Sequence, residues 1–156
     1  QITSFLILST IFAMLGSLIV GWLVKYKGTV FSYSLVLWLW LVALILIIIS
    51  PGKSLFWVVG PIAGVGMGGV WVASRAIVVE LSPPQKIGEF FGIYSMAGKM
   101  ASIAGPLLWG SIVWVLQDTE TLKYRAAVGS LLLITIVTIC FFNTFKKYIK
   151  TDHVYS

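Results

Sequence analysis

The stretch VFSYSLVLWLWLVALILIII, residues 30–49, carries no charged side chain from end to end. An apolar run of roughly 20 residues is the length at which an α-helix, rising about 1.5 Å per residue, crosses a hydrocarbon layer about 30 Å thick. A membrane β-strand needs about half that length and alternates apolar with polar positions, which this run does not do. The stretch therefore predicts a transmembrane helix. Similar segments lie on both sides of it, at residues 2–24, 55–79, 90–116 and 126–145. The fold class expected is all-α, a polytopic membrane bundle of five transmembrane helices.

Composition supports the same reading. Hydrophobic residues make up 59% of the chain and charged ones 10%, with a mean hydropathy of +1.01, against about 45–50% apolar and about 25% charged in average soluble domains. The net charge of +6 does not point to nucleic acid, because the basic residues stand at the ends of apolar runs rather than on one solvated face. They report topology instead. Lys25, Lys27, Lys86, Lys146, Lys147 and Lys150 fall on one side of the bilayer, and Lys53, Lys123 and Arg125 on the other. The excess places the C-terminus, with a tail over residues 146–156, in the cytoplasm. The membrane expected is a plasma or inner membrane, or a vacuolar one in a eukaryote.

Trp22, Trp57, Trp109, Trp114, Tyr26, Tyr124 and Tyr148 lie near predicted helix ends, where amphipathic rings favour the headgroup region. Ser50-Pro51-Gly52 and Ser82-Pro83-Pro84 end the second and third helices, so consecutive helices are expected to be antiparallel neighbours. The chain opens at Gln1 with no basic region before its first apolar run. That run is read as a span rather than a signal peptide, and the chain as a fragment. Cys140 is the sole cysteine, so no disulfide framework is expected.

Two stripes of small residues stand out. Gly60, Gly64 and Gly68 recur every four positions on one face of the third helix, a pattern that lets helix backbones approach closely in lipid. The same segment contains G-x-G-x-x-G over residues 64–69. A dinucleotide fingerprint needs a preceding strand and a helix that begins at the glycines, and these flanks read as continuous helix. Pro61 and the glycines would also let this helix bend. The fourth helix carries Ser95, Gly98, Ser102 and Gly105 at spacings of three and four, and Pro106 predicts a kink just beyond them.

Lys99 lies beside this second stripe. Ten residues beyond Glu89, it is about 15 Å into the hydrocarbon layer. An ammonium at mid-helix costs about 2.5–3.5 kcal/mol, so it calls for an anionic partner, a wet cavity or a ligand. Lys99, with Ser95 and Ser102, is the candidate site for a substrate or an internal ion pair. The competing reading is snorkelling, in which the stem leads the ammonium back toward cytoplasmic water. Arg75, Glu80 and Glu89, with Lys25 and Lys27, form a candidate cytoplasmic gate; Glu89 also suits the positive end of the helix dipole. Asp118 and Glu120 belong to a solvated outer loop, and His153 to the polar tail. No nucleophile with an adjacent base and no metal-ligand spacing is present, so neither an enzyme nor a cofactor is expected.

These features resemble the C-terminal half of a major facilitator superfamily transporter. Gly21-Trp-Leu-Val-Lys-Tyr-Lys-Gly28 is similar to the superfamily's cytoplasmic G-x-L-x-D-R-x-G signature, with Lys25 where that signature has aspartate. Ser74-Arg75, Pro83-Pro84, Glu89-Phe-Phe-Gly-Ile-Tyr94, Gly98-Lys99 and Gly105-Pro106-Leu107 resemble the vacuole effluxer, autophagy-related family and its prokaryotic relatives. The resemblance implies helices eight to twelve of a twelve-helix fold, with the N-terminal half missing as a partner. It also implies secondary transport of a small solute, such as an amino acid or another carboxylate-bearing metabolite. The alternative from the residues themselves is a non-transporting scaffold or accessory subunit, which would use the small-residue stripes equally well.

Overall fold

The computed structural model describes residues 2–49, 53–119 and 122–152, with side chains over 3–49, 57–119 and 122–146. The described residues form five long helices: α1 (Ile2–Lys27), α2 (Thr29–Ile49), α3 (Lys53–Leu81), α4 (Ile87–Val115) and α5 (Leu122–Asp152). A single 3-10 turn, Pro84–Lys86, stands between α3 and α4. The break expected at residues 50–52 and the histidine at 153 lie outside the described residues.

Each helix reaches past the apolar run that predicted it. α1 continues to Lys27, α3 to Leu81 and α5 to Asp152, so the first residues of the expected tail, 146–152, continue α5. Hydropathy marks the hydrocarbon slab, whereas backbone hydrogen bonding continues until the chain meets a residue that stops it; lysine is a good helix former and does not. Among the described residues four helices are long and apolar enough to cross a membrane, and α4 falls outside that group despite its 29 residues. Lys99 and the glycines and serines around it dilute its apolarity.

The stops are local and physical. Between α1 and α2 only Gly28 is non-helical, with φ of 85°, a left-handed conformation that glycine adopts without the Cβ clash. Its N–H donates to the Val24 carbonyl at 3.1 Å. Its own carbonyl accepts from the Ser32 N–H at 3.3 Å and the Ser32 hydroxyl at 2.8 Å. At the end of α3 the Ser82 hydroxyl donates to the Val78 carbonyl, and Pro83 and Pro84 follow, where helix cannot continue.

α3 is the centre of the bundle. It packs along α1 on one side and α2 on another, α5 packs on α2, and α4 touches α3 and α5 lightly. The glycine stripe explains the first contact. A Cβ on Gly64 would run into the Ser9 carbonyl oxygen, and one on Gly68 into that of Ala13. In return, a Cβ on Gly16 would come within 2.5 Å of the Val65 Cα. Gly60 lies against the Phe5 ring and the Ser9 hydroxyl. The G-x-G-x-x-G segment is uninterrupted helix, and its Gly66 faces the Trp40 indole of α2.

Two apolar clusters complete the packing. Val20, Val36 and Ala73 join α1, α2 and α3, and Leu37, Ile139 and Phe142 join α2 to α5. α4 contributes no buried residue to either. Its side chains therefore stay open along most of its length.

Candidate functional site

The lysine-rich end of the bundle is where the candidate gate residues gather. α1 ends there with Lys25 and Lys27, α2 begins at Thr29, and α3 ends with Arg75 and Glu80 in its last two turns. The Thr29 hydroxyl donates to the Glu80 Oε2 carboxylate oxygen, tying the first turn of α2 to the last turn of α3. Thr29 is buried and Glu80 exposed. A carboxylate accepting such a bond is held in place more firmly than one bound to water alone, because charge strengthens the bond.

Arg75 is exposed and lies over the ring of Trp71, with 5.5 Å between the guanidinium carbon and the ring centre. Four residues apart, the two share a helix face, and the arrangement is a cation–π contact. Lys25 and Lys27 are placed the same way, over Tyr26 at 5.7 Å and Phe31 at 5.4 Å. Glu89, in the first turn of α4, is exposed. Of the gate candidates, only Glu80 is hydrogen-bonded to another helix among the described residues.

A second contact joins α3 to α4. The Ser74 hydroxyl donates to the Val70 carbonyl at 2.5 Å, which leaves its oxygen to accept from the Tyr94 hydroxyl at 2.8 Å. Below this pair lies a cavity of about 270 Å³ between α2, α3, α4 and α5. Tyr33, Thr138, Phe141 and Phe142 line it along with Ser74 and Tyr94. Tyr33 and Phe142 meet edge to face at 4.8 Å between ring centres. Apolar walls with a few hydroxyls suit a small apolar or amphipathic occupant and offer no nucleophile or base.

Lys99, Ser95 and Ser102 are all exposed on α4. Ser102 turns its hydroxyl back to the Lys99 carbonyl at 2.7 Å, so it is bonded to its own helix. A Cβ added at Gly98 or Gly105 would meet nothing within 4 Å. The two small-residue stripes thus differ: the one on α3 is filled by α1, and the one on α4 faces no other described helix. Lys99, expected to point toward the bundle, is instead exposed, because α4 meets α3 and α5 only lightly and none of its residues is buried. α4 runs as one helix through Pro106.

Sequence reasoning missed Thr29, Tyr94 as a hydrogen-bonding group, and the Tyr33–Phe142 contact. Trp71 was missed as well, although its spacing of four from Arg75 is a helical neighbour relation that could have found it. Among the described residues, no cluster of three or more His, Cys, Asp or Glu could hold a metal ion.

The Major Facilitator Superfamily profile matches residues 1–152. The chain is 34% identical over 97 residues to the uncharacterized MFS-type transporter YxiO of Bacillus subtilis, a match covering 62% of this chain and 22% of YxiO. It is 34% identical over 80 residues to Autophagy-related protein 22 of Eremothecium gossypii, covering 51% of this chain and 15% of that protein. The corresponding protein of Kluyveromyces lactis is 33% identical over 91 residues, covering 58% and 18%. The chain thus matches less than a quarter of the length of each of these relatives. No solved structure matches it.

Proposed function

The chain belongs to the major facilitator superfamily, and from that premise we propose that it forms the C-terminal part of a secondary active transporter moving a small solute by alternating access. It is an integral, multi-pass membrane chain, and four of its described helices are long and apolar enough to cross the bilayer. The observation that carries the reading is the open face of α4. Lys99, Ser95, Ser102, Gly98 and Gly105 lie on a helix with no buried residue, whereas α2, α3 and α5 pack into apolar clusters. A charged and polar face is costly against hydrocarbon and is at home along an aqueous path or against another protein surface.

In this reading Lys99 supplies a cation to a carboxylate-bearing solute, an amino acid or a related metabolite, or to a carboxylate in the rest of the protein. Glu80, Arg75, Glu89, Lys25 and Lys27 form contacts at the lysine-rich end that open and close as the two halves rock. The C-terminus lies on the cytoplasmic side. That one relative carries the name of an MFS-type transporter supports the assignment to solute transport.

The test is uptake of labelled amino acids and short carboxylates into proteoliposomes by the full-length protein. Wild type is expected to give saturable, gradient-driven uptake. Lys99→Ala and Lys99→Met should lower uptake efficiency on the order of tenfold or more, the scale of a lost hydrogen bond to a charged group. Absence of gradient-driven uptake of any solute tested would overturn the transporter reading. Unchanged affinity and rate in folded Lys99 variants would remove Lys99 from the mechanism and leave the transporter reading standing.

A further inference from the structure

The outer side of α2 carries a groove of about 420 Å³ whose chemistry changes from one end to the other. Phe31, Leu35, Trp38 and Val42 recur at spacings of four, three and four, which sets them on one helix face. Their exposure runs from 38% at Leu35 to 54% at Trp38, so nothing among the described residues covers them. From Phe31 to Val42 the helix rises about 16 Å, close to half of a hydrocarbon layer about 30 Å thick. The groove is as long as one leaflet is deep.

At its Phe31 end the groove meets α5, which contributes Lys146 to the lining. The Lys27 ammonium, from the end of α1, lies 5.4 Å from the centre of the Phe31 ring. One ammonium group, that of Lys146, therefore lines the apolar trough and a second, that of Lys27, packs on its Phe31 ring, and among the described residues the lining holds no carboxylate. Ser34 sits in its wall near that mouth, and its buried hydroxyl has no hydrogen-bond partner among the described residues, unlike Ser32, which bonds the Gly28 carbonyl. The polar and apolar parts are ordered as they are in a lipid molecule.

We propose that this groove binds one anionic phospholipid of the leaflet at the lysine-rich end, its phosphate held between Lys27 and Lys146 and one acyl chain laid along Phe31, Leu35, Trp38 and Val42. The two lysines select net charge. A zwitterionic headgroup brings its own cation against theirs, whereas an anionic one does not, and each basic residue near the membrane surface adds to the attraction. The trough supplies what free phosphate cannot use, an apolar wall with the flat Trp38 ring at its centre. Packing over the Phe31 ring holds Lys27 at the mouth of the groove.

The experiment is native mass spectrometry of the full-length protein released from nanodiscs containing equal phosphatidylglycerol and phosphatidylcholine with the same chains. Wild type should retain phosphatidylglycerol in preference by a factor on the order of ten, the effect of two interfacial lysines. Lys27→Gln with Lys146→Gln should abolish the preference, and Lys123→Gln, in the first turn of α5 at the opposite end, should leave it intact. Leu35→Trp, which fills the trough with both lysines in place, should reduce retention. An excess of inorganic phosphate should not displace the lipid.

Equal retention of the two lipids by wild type, or none, would overturn the proposal; the latter is the result if another helix of the protein covers the groove. A preserved preference in the double lysine variant would overturn it too. Undiminished retention in Leu35→Trp, or displacement by inorganic phosphate, would reduce the site to a phosphate-binding pair of lysines and overturn the acyl assignment. Should the double variant fail to fold, as read by gel filtration and circular dichroism, the wild-type preference and Leu35→Trp decide the matter.

Discussion

Tyr94 donates a hydrogen bond to the Ser74 oxygen at 2.8 Å, and Ser74 can accept it because its own proton is committed to the Val70 carbonyl. This is the polar link between α4 and the centre of the bundle, on a helix that buries none of its residues. Tyr94→Phe keeps the ring and removes the donor. It should cost about 1 kcal/mol, the net value of one such bond. Amide hydrogen exchange should then quicken in the first turns of α4 and not in α3, and uniform exchange across both helices would contradict this.

The Thr29–Glu80 bond predicts an asymmetry between two variants. Thr29→Val keeps the side-chain shape and leaves the exposed Glu80 carboxylate to water in place of its protein donor, at an expected cost of about 1 kcal/mol. Glu80→Gln retains a carbonyl oxygen that still accepts from Thr29, so its cost should be smaller. Thermal unfolding of the two variants in detergent ranks them directly.

The two glycine stripes should respond in opposite ways to the same substitution. Gly68→Ala drives a methyl group into the Ala13 carbonyl of α1 and is expected to destabilise by about 1–3 kcal/mol through overpacking. Gly98→Ala and Gly105→Ala meet nothing within 4 Å, and alanine is favoured over glycine in a helix by up to about 1 kcal/mol. They should hold or raise the unfolding temperature. A loss of uptake in either variant without loss of stability would locate the docking face of the rest of the protein on α4.

Gly28→Ala places a Cβ on a residue with φ of 85°. The left-handed conformation costs an L-residue about 1–2 kcal/mol, although no neighbouring atom lies within 4 Å of that Cβ. The expected result is a lower unfolding temperature with an unchanged helical circular dichroism spectrum. An unchanged temperature would mean that the joint can rearrange without strain.

The helices were legible because the properties that set them are local. Length and apolarity of residues 30–49 suffice for α2, the Ser82-Pro83-Pro84 run stops α3, and the four-residue period of Gly60, Gly64 and Gly68 marks the surface that α1 fills. The site was less legible because its contacts cross the chain. Thr29 meets Glu80 over 51 positions and Ser74 meets Tyr94 over 20, and no periodicity records which serine or threonine will face which partner. The α4 stripe looked like that of α3 on paper. Small side chains state that close approach is allowed, and whether a neighbour takes it up depends on surfaces elsewhere in the protein.

Gly28 has a mechanical consequence. It is the one residue between helices of 26 and 21 residues, and three hydrogen bonds fix it to the turns on either side. Such a joint has no slack, so a tilt of α1 swings α2 about the lysine-rich end. Because α2 grips α5 through Leu37, Ile139 and Phe142, the swing is passed on to α5. The hairpin thus ties α1, α2 and α5 together from the lysine-rich end, and a change at Gly28 is felt by all three.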